Sequence, residues 1–499
     1  MFFKAMNVKT FSGGYRFKRF ATRQEDRLIH LDPPPKVLIP LFQGFGTPLE
    51  PQVKVGDSVR AGQIIARDDE KVSSPIHSSI TGKVIDIKRV NYFKREVTMV
   101  VIEAGKDEDY QRLDGHSTEW DKLSPQKIEE LIYEAGVTSL DREGIPTHFK
   151  SSIINPEEVE DLIIHGAGSE PYNISLDVLL GGKNLFNFVE GIKILKKIMP
   201  KAKVHVALNS ERKRLIERLR KLTFNLDRFS ICPVIPKYPQ GYDEVLVPTL
   251  LGKKFPYGYS AANIGVVVLM VQAVLHVYEA VTEGKPLIER TIALLGPAFR
   301  ENIHLKVRVG APLEFILKDR LKNTDSRIIL NSPLTGPELN DLSLPVDRTF
   351  SQIIDIPEDR KRKFLAFLRP GIRTDSYSRA FLSALSLQGR SFTTNLHGEE
   401  RPCIQCGYCI EVCPVKIMPT FIDRHINMGI NESLMRYGIF DCIECNLCSY
   451  VCPSKIHLAD NIKNGKTKLI DIGCDHSLCI LPKFNLKGLE GYKGVKKLR

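Results

Sequence analysis

Residues Cys403-Ile404-Gln405-Cys406-Gly407-Tyr408-Cys409-Ile410-Glu411-Val412-Cys413-Pro414 and Cys442-Ile443-Glu444-Cys445-Asn446-Leu447-Cys448-Ser449-Tyr450-Val451-Cys452-Pro453 repeat one pattern, C-x2-C-x2-C-x3-C-P. That is the bacterial spacing for cubane iron–sulfur ligands. Three cysteines at every third position wrap a turn of chain around one cluster, and the fourth, held before proline, reaches the cluster of the other run. The spacing therefore predicts one [4Fe–4S] cluster on Cys403, Cys406, Cys409 and Cys452, and another on Cys442, Cys445, Cys448 and Cys413. Zinc knuckles use CxxC pairs and seldom need two identical four-cysteine runs each closed by Cys-Pro. A disulfide framework requires an oxidising compartment, for which nothing in the chain argues.

Outward from these runs, a chain of 499 residues is too long for one core and implies roughly three or four domains. Hydrophobic content of 42% and charged content of 26% are those of ordinary globular protein. The net charge of +12 favours an acidic protein, anionic headgroups or nucleic acid as partner. Nucleic acid is set aside because there is no zinc finger, RNP signature or helix-turn-helix pattern. The charge gathers at Arg360-Lys361-Arg362-Lys363 and in the tail from Lys483 to Arg499, where a solvated face is the default reading. Outside the two runs lie Cys232, in the apolar context Ile231-Cys232-Pro233-Val234, and the spare thiols Cys474 and Cys479. No apolar h-region opens the chain, so no signal peptide is expected. The longest apolar stretch, Ile264 to Val281, is broken by Gln272, His276 and Glu279 and predicts a buried strand running into a helix. The expected protein is soluble and docks at a membrane without spanning it.

In chain order, residues 1–35 form a basic N-terminal extension with Gly13-Gly14, ending at Pro33-Pro34-Pro35. From residue 36 to 120, short β-branched runs cornered by glycine resemble the barrel-sandwich hybrid of biotinyl and lipoyl domains. The tip that carries a modified lysine in such domains reads Ser74-Pro75-Ile76-His77, so a structural role is expected there. Between 121 and 290 strands alternate with helices, as in a parallel α/β domain. Leu162 to Gly168, Lys203 to Asn209 and Ile264 to Val271 read as its strands, with a helix capped by Ser210 after the second. Short strands return over 291–345 as a β-grasp-sized module. A connecting segment (346–396, helical from Ser378 to Leu396), the two-cluster domain (397–465) and a basic tail (466–499) complete the chain. The fold class is multidomain α/β and α+β.

Three further motifs, Lys237-Tyr238-Pro239-Gln240-Gly241, Asn263-Ile264-Gly265-Val266-Val267-Val268 and Glu283-Gly284-Lys285-Pro286-Leu287-Ile288-Glu289-Arg290, resemble the RnfC family. RnfC is the peripheral iron–sulfur subunit of the ion-translocating ferredoxin:NAD oxidoreductase, and the resemblance covers about residues 36 to 460. It implies a barrel-sandwich hybrid, a Rossmann-like flavin/NADH-type α/β domain, an SLBB β-grasp module and a helical ferredoxin-type domain. It also implies other Rnf membrane subunits as partners, ferredoxin or another one-electron carrier, and a place at the cytoplasmic side of the cell membrane. Cobalamin reductase, NqrA and the flavoprotein subunit of complex I are relatives of that family.

The family's glycine loop, roughly G-L-G-G-A-G-F-P-T, lets backbone amides approach the FMN phosphate. Here the stretch is Ser139-Leu140-Asp141-Arg142-Glu143-Gly144-Ile145-Pro146-Thr147, with two carboxylates where a dianion would sit. The family's N-x-x-E-C-E-P-Y is here His165-Gly166-Ala167-Gly168-Ser169-Glu170-Pro171-Tyr172. Gly144, Glu170 and Tyr172 are the remnants of an FMN/NADH site whose binding is expected to be weakened or lost; the other reading is a divergent loop that binds by different contacts. Two function classes follow. One is a subunit relaying single electrons within an Rnf-type complex. The other is an NADH- and FMN-dependent reductase of the ordinary RnfC or cobalamin reductase kind, which needs the glycine loop. An NqrA-like scaffold is a third, but NqrA relatives lack the cysteine runs.

Overall fold

The computed structural model describes residues 7–17, 26–44, 48–68, 73–106, 109–139, 158–168, 170–322, 326–357, 377 and 400–474. Gly144 with the rest of the altered loop from Leu140 onward, Ser169, the basic cluster at 360–363, the stretch 378–396, Cys479 and the tail 483–499 lie outside the described residues.

The first strand, β1 (Leu28–His30), leaves the N-terminal extension to join a sheet formed much later in the chain. Six strands then build the first module: β2 (Lys36–Pro40), β3 (Ser58–Val59), β4 (Ile64–Ala66), β5 (Ile76–His77), β6 (Gly82–Tyr92) and β7 (Arg95–Ala104). Four of them pair antiparallel in the order β2-β7-β6-β3, and β4 pairs with β5. Val37, Ile39, Ile65, Val84, Val100 and Ile102 close a core between the layers. The tip expected to serve structure is sealed: Ser74, Ile76, His77, Ser78 and Ser79 are buried, and Arg348 reaches across to donate to Ser74 Oγ and the Pro75 carbonyl. Burial, reinforced by the Arg348 charge, drives the His77 ring down to about 3, so it remains neutral.

The α/β module follows. Ser124, accepting from the Lys127 amide at 3.2 Å, caps the helix Pro125–Glu134. Strands β8 (Asp161–Gly166), β9 (Lys203–Asn209), β10 (Phe229–Val234) and β11 (Val266–Met270) form a fully parallel sheet in the order β10-β9-β8-β11. β8 is buried throughout, as a parallel strand with helices on both faces must be. The apolar stretch from Ile264 resolves into β11 and the helix Val271–Tyr278. One boundary moves. The helix expected from Ser210 starts at Lys213, because Asn209 ties the Glu211 amide through its side chain and the Arg212 amide through its carbonyl. Cys232 is buried at the sheet edge with its sulfur 3.6 Å from Ser230 Oγ.

A five-stranded mixed sheet, β1-β13-β12-β15-β14, is built from β12 (Glu289–Leu295), β13 (Ile303–Arg308), β14 (Ser326–Leu330), β15 (Gln352–Pro357) and β1. It draws one strand from residues 28–30 and another from residues 352–357, beyond the limits of 291 and 345 read from the sequence. Gln352 fastens this sheet to the α/β module: its Nε2 donates to the Tyr172 carbonyl at 2.9 Å and its Oε1 accepts from the Ile174 amide at 3.3 Å. After residue 400 the chain is short helices and turns. Among the described residues no helix is long and apolar enough to cross a membrane.

Candidate iron–sulfur centres

The two cysteine runs fold alike. Cys409 lies in the helix Tyr408–Val412 and Cys448 in the helix Leu447–Val451, and Cys413 and Cys452 cap those helices in extended conformation. Before each helix the backbone turns left-handed twice, at Gln405 (φ 56°) and Gly407 (φ 77°) in one run, and at Glu444 (φ 55°) and Asn446 (φ 63°) in the other. Glycine and asparagine tolerate that region best, and successive amides in such a turn point into one concavity that suits an anion. The amides of Gln405 and Glu444 lie 3.4 Å from the sulfurs of Cys403 and Cys442. After each Cys-Pro, backbone groups of Val415, Lys416 and Ile417 bond the Cys413 sulfur, and those of Ser454 and Ile456 bond Cys452.

The thiols fall into two sets. Cys403 and Cys406 act electrostatically on both Cys409 and Cys452, while Cys413 and Cys442 act on both Cys445 and Cys448. In each set the fourth member comes from the other run. Cys409 and Cys448 share one apolar cluster between the sets. A cavity walled by apolar side chains is lined by Cys413, Cys442, Cys445 and Cys448. Burial pushes the Cys409 thiol up to about 11 and those of Cys445 and Cys448 well above the usual thiol range. Thiolates held there demand a cationic group to bind.

The donor set fits a sulfur-ligated cluster. It consists of soft thiols alone, with backbone amides directed at sulfur. The described cysteines are all free thiols, which leaves no disulfide framework among them. Among the described residues no group of three His, Cys, Asp or Glu side chains is placed to hold a single metal ion.

The surroundings of the sets differ. Cys403 and Cys406 are exposed, whereas Cys413, Cys445 and Cys448 are buried. The exposed set is stapled locally: Ser454 Oγ donates to the Pro402 carbonyl at 2.9 Å, and Arg401 to the Pro453 carbonyl at 3.2 Å. The interior set is held by the rest of the molecule. Tyr238, fully buried, donates to the Cys445 carbonyl at 2.8 Å, and Asn446 Nδ2 donates to the Leu334 carbonyl at 2.7 Å. The Gly14 amide bonds the Val412 carbonyl at 2.7 Å, and a Cβ on Gly13 would stand 2.5 Å from the Cys413 carbonyl oxygen. Gly13 and Gly14, both at φ 74°, are thus functional positions inside what the sequence presents as a basic extension. Their doubling is the one signal in the sequence, since only glycine permits that approach.

Of the flavin-site remnants, Glu170 and Tyr172 come together at the seam between the α/β module and the five-stranded sheet. Glu170 Oε2 accepts from Ser332 Oγ at 2.8 Å, and Tyr172 is buried with its carbonyl held by Gln352. Burial, with the neighbouring Glu170 charge, keeps the Tyr238 phenol protonated. Tyr238, whose phenol feels the Glu170 charge, thus connects the α/β module to the interior thiols through the Cys445 carbonyl. Gly144 cannot be placed beside them, being outside the described residues.

These features define the class: a multidomain α/β protein with a paired cubane-cluster domain. Family models match in the same order, the "RnfC Barrel sandwich hybrid domain" over residues 9–107, the "Nuo51 FMN-binding domain" over 132–279 and the "4Fe-4S dicluster domain" over 402–457. The chain is 28% identical over 420 residues to a subunit of the "Proton-translocating ferredoxin:NAD(+) oxidoreductase complex" of Clostridium ljungdahlii, covering 83% of this chain and 84% of that one. It is 28% identical over 422 residues to a subunit of the "Na(+)-translocating ferredoxin:NAD(+) oxidoreductase complex" of Acetobacterium woodii, covering 83% and 87%. For a subunit of the "Ion-translocating oxidoreductase complex" of Haemophilus influenzae the identity is 28% over 84% of this chain and 59% of that one. Among solved structures, an NAD+-reducing [NiFe]-hydrogenase in the H2-reduced state aligns at 15% identity and TM-score 0.43 over 72% of this chain and 64% of that one, too remote to bear on this fold. The chain is thus similar over most of its length to subunits of ion-translocating ferredoxin:NAD(+) oxidoreductase complexes, and its first module to the RnfC barrel sandwich hybrid domain.

Proposed function

We propose that this chain is the peripheral RnfC component of an ion-translocating, membrane-bound ferredoxin:NAD oxidoreductase complex, and that it relays single electrons through two [4Fe–4S] clusters. What supports the reading is the doubled C-x2-C-x2-C-x3-C-P spacing, with each fourth thiol grouped electrostatically with the first three of the other run. Cys403, Cys406, Cys409 and Cys452 would hold one cluster; Cys442, Cys445, Cys448 and Cys413 the other. Each cluster, when bound, supplies one-electron chemistry and no bond-making site. The chain's own contribution is positional. The left-handed turns aim amides at sulfur, the helices Tyr408–Val412 and Leu447–Val451 bring Cys409 and Cys448 side by side, and Tyr238 clamps the interior set against the α/β module. Exposure of Cys403 and Cys406 leaves one cage open to a partner, and the basic balance of +12 suits an acidic one such as ferredoxin.

We assign the α/β module as Rossmann-like and the five-stranded sheet as the SLBB β-grasp, with the barrel-sandwich tip acting as an interdomain wedge. The protein would sit on the cytoplasmic side by docking to other Rnf subunits. The FMN and NADH site is read as degenerate, since Asp141 and Glu143 stand in the sequence where the family's loop has small residues for a phosphate, and Glu170 is engaged with Ser332. The second reading, an NADH- and FMN-dependent reductase, is favoured by the FMN-binding-domain match over 132–279. Iron, acid-labile sulfide and flavin analysis of the purified protein separates them. Two clusters without FMN, and no dye reduction by NADH, support the relay; stoichiometric FMN with NADH-driven dye reduction supports the reductase.

A further inference from the structure

The step that carries Cys403 to Cys442 carries Gln405 to Glu444, Gly407 to Asn446, Pro419 to Leu458 and Asn427 to Lys466. The halves are therefore superimposable in pattern, and one difference stands out. Asn427 is exposed, whereas the Lys466 side chain is only 3% exposed, on the helix Leu458–Asp471. Its ammonium donates to the Cys442 carbonyl and, at 3.0 Å, to Glu444 Oε1, and it stands 4.8 Å from the centre of the Tyr257 ring. Gly465 lies at the close approach of the helices Pro419–Met428 and Leu458–Asp471, where a Cβ would stand 2.6 Å from Ile426 Cδ1 and make that side chain shift.

We propose that Lys466 is a potential-setting residue, a buried cation beside the interior cage, which raises the reduction potential of the cluster bound there. The inference rests on the two-cluster reading given above. Adding one electron to a cluster adds one negative charge without making or breaking a bond. A cation beside a ligand stabilises the reduced form, the more so where water is excluded. Glu444 opposes it, but that carboxylate is 30% exposed and is shared with Lys463 at 3.8 Å. At the places of Glu444 and Lys466 the exposed cage has Gln405 and Asn427, neither of them charged; its own cation, Lys455, acts on Cys452 from the turn after Pro453.

The test is a redox titration of the full-length, cluster-loaded protein followed by paramagnetic resonance, after iron and sulfide analysis. Lys466→Met should lower one of the two midpoint potentials and leave the other in place, and Glu444→Gln should raise that same potential. Glutamine is compatible with the site, since Gln405 holds the corresponding left-handed conformation. If Lys466→Met fails to retain its cluster, Glu444→Gln alone decides, and an unchanged or lowered potential overturns the inference. Unshifted potentials in both variants, or equal shifts of both clusters, overturn it as well. Failure of the unmodified protein to hold two clusters, read from iron analysis before any titration, removes the two-cluster reading and this inference with it.

Discussion

Around Cys403, Cys406, Cys409 and Cys452 two thiols stand exposed and the loop ends are joined by bonds from Arg401 and Ser454 to residues next to the cysteines. Around Cys442, Cys445, Cys448 and Cys413 three thiols are buried, and the bonds come from Tyr238, Asn446 and the N-terminal Gly13-Gly14 turn, reaching into other modules. The same spacing and the same left-handed turns therefore produce two environments. A motif fixes which atoms can ligate; solvent access and nearby charge are set by what packs on it, and these two govern cluster stability and potential.

The sharpest way to break this comparison is to exchange the fourth cysteines for alanine. Cys413→Ala should abolish the interior cluster and spare the exposed one, while Cys452→Ala should do the reverse, each removing roughly half of the iron. Paramagnetic resonance of the two reduced variants should give complementary spectra; loss of the same signal in both would show that the runs do not exchange ligands.

Next in size is the response to an iron chelator or to air. The exposed cage should bleach in a first, faster phase carrying about half of the cluster absorbance, and the interior cage in a slower one. Stopped-flow absorbance at the sulfur-to-iron band would resolve the two, and a single phase would mean that burial does not distinguish them.

Tyr238→Phe keeps the aromatic packing and removes the hydroxyl that serves the Cys445 carbonyl, which should cost about 1 kcal/mol. The loss should appear as faster iron release from the interior cage, with the exposed cage unchanged. Ser454→Ala is the mirror experiment on the exposed side. Because that bond is partly solvated, roughly 0.5 kcal/mol is expected, visible as a small acceleration of the first phase only. An effect of Ser454→Ala on the slow phase would show that the cages are mechanically coupled.

Much of this protein was legible in one dimension. The 4Fe–4S dicluster domain follows from spacing, and the eight proposed ligand positions with it, because cluster ligation is a local demand on a short stretch of chain. The parallel strands at Leu162, Lys203 and Ile264 follow from runs of buried β-branched residues, and the sealed tip at Ser74-Pro75 from its missing lysine. What the chain could not disclose alone arises from contacts between residues far apart in sequence. Strand β1 joins a sheet beyond residue 289, Arg348 fills the tip of a module it is nowhere near in sequence, and Gly13-Gly14 closes on Cys413. Tyr238 was visible as part of a family motif, yet its bond to Cys445 was not. Lys466 was one more basic residue among many until helix packing buried it beside Cys442. Spacing specifies a ligand set, because bonding is short-ranged; burial and charge act through whatever the fold brings near, and only the tertiary structure decided which cage would be dry and that Lys466 would be buried beside it.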